Sequence, residues 1–490
     1  MKTVAKAALL ASIIFLCTGC PPGRVVPLKN PLVSDKEMEA LDMAQLAIDI
    51  GGEEGQRIWP GYRPGDYAIL IFRPGKRSFL VNPSWKPASL PVLDLPEIEA
   101  AVYVLKPGGV KASSGLPFSK EFAVGGGKAF LVRHRDSDKR QRWFRLLVHE
   151  LFHDFQHGQW ERRAFPKRCR YPYENMDNAF LARVEEKLVA RLLRLLPHKD
   201  VSATALHYLA VRGRRLEGPV AKEVQQIEFW EELAEGTAKY VEELYAAAAG
   251  FSTLANATNR EAAFFNKFRP KNLQKWKYYR TGLALSMAMD RVGIDDWKEA
   301  ASKGVSQYPH FKGAFDTKLG LLAQEAVDTV IDSFKKERAG VEHKMEAYVK
   351  TERDILDRWQ KQGQWEVTVL FNKKGGAYYS NSGVTFNLPD CSRMVSGIIS
   401  FVDRFFNFEV RRKAVVVSHA ETSYTLVFYD DAAGGTFALD GAPWQTAQGE
   451  WRFGESIKVK QKSWNIDWEG EGRVVVTKGH LRIELGTTQM

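Results

Sequence analysis

The chain is poor in cysteine, with four in 490 residues, which excludes a small fold stapled by disulfides. It has no uncharged apolar run of the about 18–20 residues that a membrane-spanning helix needs, so it is not a polytopic membrane protein. Low-complexity tracts, a Gly-X-Y period and internal repeats are all missing, which excludes a disordered chain, a collagen-like fibre and a solenoid. Nor does it carry the spacing of a C2H2 finger, a basic-region zipper or the aromatic strand of an RNA-binding sheet. Its formal net charge of +11 therefore comes without a nucleic-acid motif, and no nucleic-acid partner is expected.

What is present suits a folded, multidomain chain. Apolar residues make up 44% and aromatics 12%, enough for a sizeable core, and the length allows about three domains. The positive charge is uneven. Arg133, Arg135, Lys139, Arg140, Arg142 and Arg145 face only Asp136 and Asp138, and Arg162, Arg163, Lys167, Arg168 and Arg170 follow. A solvated basic face and a preference for acidic substrates are the two readings of that cluster.

The N-terminus reads as a targeting segment. Lys2 and Lys6 precede an uncharged run from Ala7 to Leu16, too short to span a bilayer and suited to a signal-peptide core. Cys17-Thr18-Gly19-Cys20 then resembles a bacterial lipobox, with Cys17 where leucine is usual. The resemblance implies cleavage before Cys20, lipid on that residue, a membrane partner through the anchor, and location at the cell envelope outside the cytoplasm. Plain secretion is the alternative. Cys169 and Cys391 would remain, either paired or as two separate thiols.

Residues 21–36, rich in proline and polar residues, read as a tether. A helix is expected over 36–50, then strands over 67–72, 78–81, 101–105 and 128–132. Gly125-Gly126-Gly127 lacks the Gly-Lys-Ser/Thr ending of a phosphate loop and reads as a turn. Helices are expected over 140–157, 175–196, 219–249, 278–292 and 340–362. After Gly363 the pattern becomes short strands, over 366–371, 383–388, 414–418, 424–429, 457–460, 473–477 and 481–485. The expected fold is α+β, with a mainly helical domain over 37–362 that begins with a small β-sheet, and an all-β sandwich or barrel over 363–490. Trp365, Trp444, Trp451, Trp464 and Trp468 of that second part suit core packing, or stacking on sugars.

His149-Glu150-Leu151-Phe152-His153 carries the chemistry. Histidines four apart lie one turn apart on one helix face, so both imidazoles reach one ion. Glu150 is placed to take a proton from water activated there. Trp143, Leu147, Leu151 and Phe155 form the apolar face of the same helix. A metzincin pattern would need Gly at 155 and His at 159, where this chain has Phe155 and Gln159. His157, four residues past His153, is a third histidine at helical spacing, but one straight helix does not suit three such ligands, and Gly158 is expected to end it.

The stretch Glu231-Glu232-Leu233-Ala234-Glu235-Gly236-Thr237-Ala238-Lys239-Tyr240-Val241-Glu242 resembles the second motif of the gluzincin metallopeptidases, Glu-Gly-x-Ala with an aromatic two places on. The resemblance implies a zincin-like catalytic domain, a Zn2+ cofactor held by His149, His153 and Glu235, general-base work by Glu150, and a peptide or protein substrate. Glu231 is the fallback ligand. On an ideal helix Glu231 and Glu242 lie within about 40° of Glu235, so they are candidates to orient the histidines. Tyr278-Tyr279-Arg280-Thr281-Gly282 resembles a downstream Tyr-x-x-Gly helix of the same group, which implies an oxyanion donor at Tyr279. The gap from His153 to Glu235 is longer than in the best-known members, and residues 175–215 read as a helical hairpin inserted over the site. The Gly-x-Met-Glu-Asn motif of the large aminopeptidases is absent. The resemblance covers about residues 78–292. The expectation is a lipid-anchored zinc peptidase. The rival is a non-catalytic surface lipoprotein that binds glycan or protein through its tryptophan-rich β domain, and hydrolysis of a non-peptide amide or ester is a third option.

Overall fold

A computed structural model describes residues 33–87, 90–110, 118–160, 170–197 and 200–360, together with strands between 365 and 485. Cys17, Cys20, Cys169 and Cys391 lie outside the described residues, as do the signal segment and most of the tether. The chain divides into two units between Glu39 and Ala40. Among the described residues no helix is long and apolar enough to cross a membrane.

Helix α1 (Asp35–Ile50) runs across that division, and Ser34 opens it with a reciprocal cap. The Ser34 backbone N–H donates to the Glu37 carboxylate at 2.8 Å, and the Glu37 N–H donates to Ser34 Oγ at 3.4 Å.

The second unit is α+β. A six-stranded sheet has the order β3-β4-β2-β1-β6-β5, with β1 (Ile69–Phe72), β2 (Ser78–Val81), β3 (Val92–Leu93), β4 (Val102–Leu105), β5 (Phe118–Val124) and β6 (Gly127–Arg133). Only β1 and β6 run parallel. Central β1, Ile-Leu-Ile-Phe, is buried at all four positions, as an uninterrupted apolar run requires when both faces are covered. Leu70, Phe72, Leu80, Leu105 and Leu131 share one of its cores. The glycine triplet is the hairpin turn between β5 and β6. Gly125 (φ 58°) and Gly126 (φ 89°) are its two central residues, and positive φ at both is the geometry that matches strand twist.

Helices follow: α2 (Glu53–Ile58) before the sheet, then α3 (Arg140–Gln159), α4 (Met176–Leu195), α5 (Ser202–Arg215), α6 (Ala221–Glu231), α7 (Thr237–Ala248), α8 (Leu254–Ala263), α9 (Trp276–Val292), α10 (Trp297–Ser302), α11 (Gln307–Gly320), α12 (Gln324–Asp332) and α13 (Lys335–Gln360). The expected ends hold to within a few residues for α1, α3, α4, α9 and α13. Gly158 does not stop α3, which runs one residue past it. The single helix expected over 219–249 is instead two, α6 and α7, joined by a π turn over Glu232–Gly236. Residues 175–215, expected as a helical hairpin, form α4 and α5. Thirteen of the twenty residues of α4 are buried, among them Arg183, Glu185 and Glu186.

The described strands between 365 and 485 include β9 (Arg393–Asp403), a stretch where no strand was expected. Counting on from β6, β7 (Trp365–Asn372) pairs antiparallel with β11 (Ser423–Asp430) and parallel with β18 (His480–Leu485). Pro443 falls in β13 (Ala442–Trp444), at the end of the strand order, where a missing N–H breaks no ladder.

Candidate metal centre

Helix α3 is held from beneath by aromatic rings. Phe152, between the two histidines of the motif, meets Trp59 edge-on at 4.9 Å and Tyr62 at 5.1 Å between ring centroids. The Tyr62 hydroxyl donates to the Val148 carbonyl at 3.1 Å. Trp143, Leu147, Leu151 and Phe155 are buried as their spacing predicts. With that face committed to the core, His149 and His153 turn toward α7 and the π turn.

There the two imidazoles meet one carboxylate. Glu235 Oε2 lies 3.3 Å from His149 Nε2 and 3.1 Å from His153 Nε2. One ligand atom from each of the three residues falls within 4.8 Å of the others, so the group could hold a metal ion. The other ring nitrogens are engaged. His149 Nδ1 is 3.0 Å from Glu242 Oε2, and His153 Nδ1 is 2.7 Å from Gln156 Oε1. Gln156 is itself fixed, because its Nε2 donates to the Ala234 carbonyl at 3.0 Å and to Thr237 Oγ1 at 2.7 Å. With Nδ1 held on each ring, both Nε2 atoms point at the same place, which is how partners of ligating histidines usually act.

The π turn sets the reach of Glu235. Widening a helix for one turn rotates the following side chains and releases carbonyls from the helical ladder. Here side chains satisfy them. Gln307 donates to the Glu232 carbonyl at 3.1 Å, and Thr237 Oγ1 donates to the Leu233 carbonyl at 2.6 Å. Opposite the turn runs α9, and the two approach at a pair of glycines. A Cβ on Gly236 would sit 2.5 Å from Gly282 Cα. One on Gly282 would sit 2.6 Å from Gly236 Cα and 2.7 Å from the Glu232 carbonyl oxygen. The glycines of the two short motifs are thus the two halves of one helix crossing. Tyr279, one turn before Gly282, is brought onto His149, with rings stacked at 5.8 Å and 6° apart.

The electrostatics follow from burial and neighbours. Burial alone would push the His149 imidazole down, but Glu235 and Glu242 outweigh it and raise it to about 10. Burial would push Glu235 up, and its histidine partners together with Lys275 hold it well below the usual carboxylate range. Burial likewise works against the Glu242 charge, while Lys239 and His149 bring it down to about 2. Burial and the Glu235 carboxylate push the Tyr279 phenol far up, so it remains a donor.

Five residues expected from the sequence therefore meet here: His149, His153, Glu235, Glu242 and Tyr279. Glu150, also expected, is buried on α3, and its charge is felt at both His149 and Tyr279. Glu231, the fallback ligand, is not in the three-residue group. Gln156 was overlooked, although its position three after His153 on the same helix is a usable signal. Lys275, whose Nζ lies 3.7 Å from Glu235 Oε1, gave no signal at all.

The donor set is two imidazole nitrogens and one carboxylate oxygen. A tetrahedral ion with bonds of about 2.0–2.1 Å has ligand–ligand edges of roughly 3.3–3.4 Å. The two Nε2–Oε2 distances, 3.3 and 3.1 Å, fit such an ion. No protein-family model, curated protein or solved structure matches the chain.

Proposed function

We propose that the chain is a zinc-dependent peptidase of gluzincin type, held at the cell envelope by lipid on Cys20, that hydrolyses peptide bonds in peptide or protein substrates. Under this reading residues 37–362 are a zincin-like catalytic domain and residues 363–490 an all-β sandwich or barrel. The observation that carries it is the convergence of His149 Nε2 and His153 Nε2 on one oxygen of Glu235, with both Nδ1 atoms held from behind.

His149, His153 and Glu235 would hold the ion, which supplies Lewis-acid polarisation of a carbonyl and makes water a nucleophile at neutral pH. Glu150, next to His149 on the helix, accepts the proton of the attacking water and returns it to the leaving amine. Tyr279 keeps its proton and donates a hydrogen bond to the oxyanion. Glu242 and Gln156 keep both imidazoles in the tautomer that offers Nε2.

Elemental analysis of the purified chain tests the reading. About one zinc per chain is expected, with a sharp loss in Glu235→Ala. Glu150→Gln should keep the zinc and lose turnover by roughly a hundredfold or more. Zinc-free wild type that has never met a chelator, or full turnover in Glu150→Gln, would defeat it.

A further inference from the structure

Helix α9 begins at the candidate metal centre, and its first residue, Trp276, faces solvent. Trp276 is 48% exposed, one of three large hydrophobic side chains that stand out among the described residues. Three residues on, Tyr279 lies on the same helix face. The two rings stack with centroids 5.4 Å apart, and Tyr279 stacks in turn on His149. A continuous series of rings, Trp276, Tyr279 and His149, thus leads from the surface to the three-residue group.

Beside that series stands one ammonium. Lys275 Nζ is 5.4 Å from the Trp276 ring centroid and 5.7 Å from that of Tyr279. It is 3.7 Å from Glu235 Oε1, the oxygen that the histidines do not use. At that length the contact is an ion pair rather than a direct hydrogen bond, and among the described residues the ammonium makes no hydrogen bond. The Lys275 side chain is 36% exposed. Lys239 differs sharply, being 12% exposed and committed to Glu242, Glu243 and Glu261. Lys275 also precedes the first turn of a 17-residue helix, whose N-terminal dipole adds to its positive field.

We propose that Lys275 and Trp276 are specificity determinants that select substrates carrying a carboxylate close to the scissile bond, the ammonium taking the carboxylate and the indole face covering the apolar stem beside it. The carboxylate is that of an acidic side chain or of a peptide C-terminus. The inference rests on the peptidase reading and names its substrate class. It is separate from the basic stretch over 133–145, since it depends on one lysine at the site.

Four otherwise identical peptides distinguish the sources: one with internal Glu, one with internal Gln, and two neutral ones, the first ending in a free carboxylate and the second in an amide. kcat/KM is measured on the full chain and on Lys275→Gln, Lys275→Glu, Lys275→Arg and Trp276→Ala. Binding of the same peptides to Glu150→Gln is followed by calorimetry, a readout independent of turnover. The preferred carboxylate should be favoured about tenfold, as one half-exposed charge-assisted contact allows. The preference should shrink from 0.05 to 0.5 M salt. Lys275→Gln should erase it, Lys275→Glu should reverse it toward the uncharged member of each pair, and Lys275→Arg should restore it. Trp276→Ala should weaken binding of all four peptides.

Preference for the internal Glu peptide assigns an acidic side chain, and preference for the free terminus assigns a terminal carboxylate. Either supports the proposal. Equal handling of acid and neutral peptides by wild type and Lys275→Gln overturns it and leaves the peptidase reading standing. Acid-selective binding through Lys275 without hydrolysis does the reverse. A uniform loss on all peptides in Lys275→Gln, unrescued by Lys275→Arg, makes the lysine merely structural and also overturns the proposal.

Discussion

Two clusters of charge lie on opposite sides of the same π turn, and they are built on opposite terms. On one side Glu235 meets two histidines whose Nε2 atoms lead to a half-exposed mouth. On the other, Glu232 and Glu228 enter a fully enclosed network. Arg212 donates to Glu232 at 2.6 Å and to Glu228 at 3.1 Å. Arg215 pairs with Glu228 and Glu185, and Lys277 donates to Glu185 at 2.8 Å. Arg212, Arg215 and Lys277 face Glu185, Glu228 and Glu232, none of the six more than 2% exposed, and Glu232 is the weakest charge of the set, since burial outweighs Arg212 and raises it to about 7. Tyr278 donates to Glu228 at 2.9 Å, while its neighbour Tyr279 lies on His149. Adjacent residues of one helix thus serve the closed cluster and the open one.

The difference teaches what each cluster is for. Charges taken fully out of water persist only when each is matched, and such a cluster fixes a unique packing at little net gain in stability. The open cluster keeps a convergent pair of nitrogens that another group can use.

Breaking the closed cluster should have the largest effect. Arg215→Met leaves Glu185 and Glu228 buried with one partner fewer each, and the expected loss is about 3–5 kcal/mol, read from denaturant unfolding. A change below about 1 kcal/mol would mean that the cluster is hydrated rather than enclosed.

Glu186 sharpens the comparison, since it is buried beside Glu185 but its hydrogen-bonded cation is Arg183, at 2.8 Å. Burial outweighs Arg183 and Lys277, and with Glu185 nearby it raises this carboxyl to about 7. A carboxyl raised on folding stabilises the fold in its protonated form. That stability is fully present below the unfolded value near 4.5 and is lost as pH rises through about 7. The loss is on the order of 2–3 kcal/mol. Wild type should therefore lose more Tm than Glu186→Gln between pH 5 and pH 8, and parallel curves for the two would refute this.

On the open side, Glu242→Gln should weaken metal affinity by about 10- to 100-fold, measured by competition with a chelator. Unaltered affinity would show that Gln156 and packing alone orient the rings.

The open cluster was largely legible in the sequence and the closed one was not. Spacing of four between His149 and His153, and the apolar stripe of Trp143, Leu147, Leu151 and Phe155, report a helix with one face to the core and the other to a site. Glu235 was legible only through the resemblance of Glu-Gly-x-Ala to a known motif, and Glu242 through its place on the same helix stripe. The π turn was not, because nothing in Glu-Leu-Ala-Glu-Gly distinguishes it from an ordinary turn; the carbonyls it frees are satisfied by Gln156 and Gln307, far away in the chain. Arg212, Arg215 and Lys277 carry no signal in the sequence. Their carboxylate partners are 13 to 92 residues distant, and only the folded chain brings them together.

The crossing of Gly236 and Gly282 has a further consequence, for descent. Each glycine is excluded from change by the other's backbone, so a side chain gained at one position cannot be accommodated by shrinking its counterpart. Chains that inherit this architecture should therefore keep both positions or lose both together. Where both are lost, Glu235 and Tyr279 should be free to drift as well, which makes the two glycines a marker by which working copies and decayed ones can be told apart.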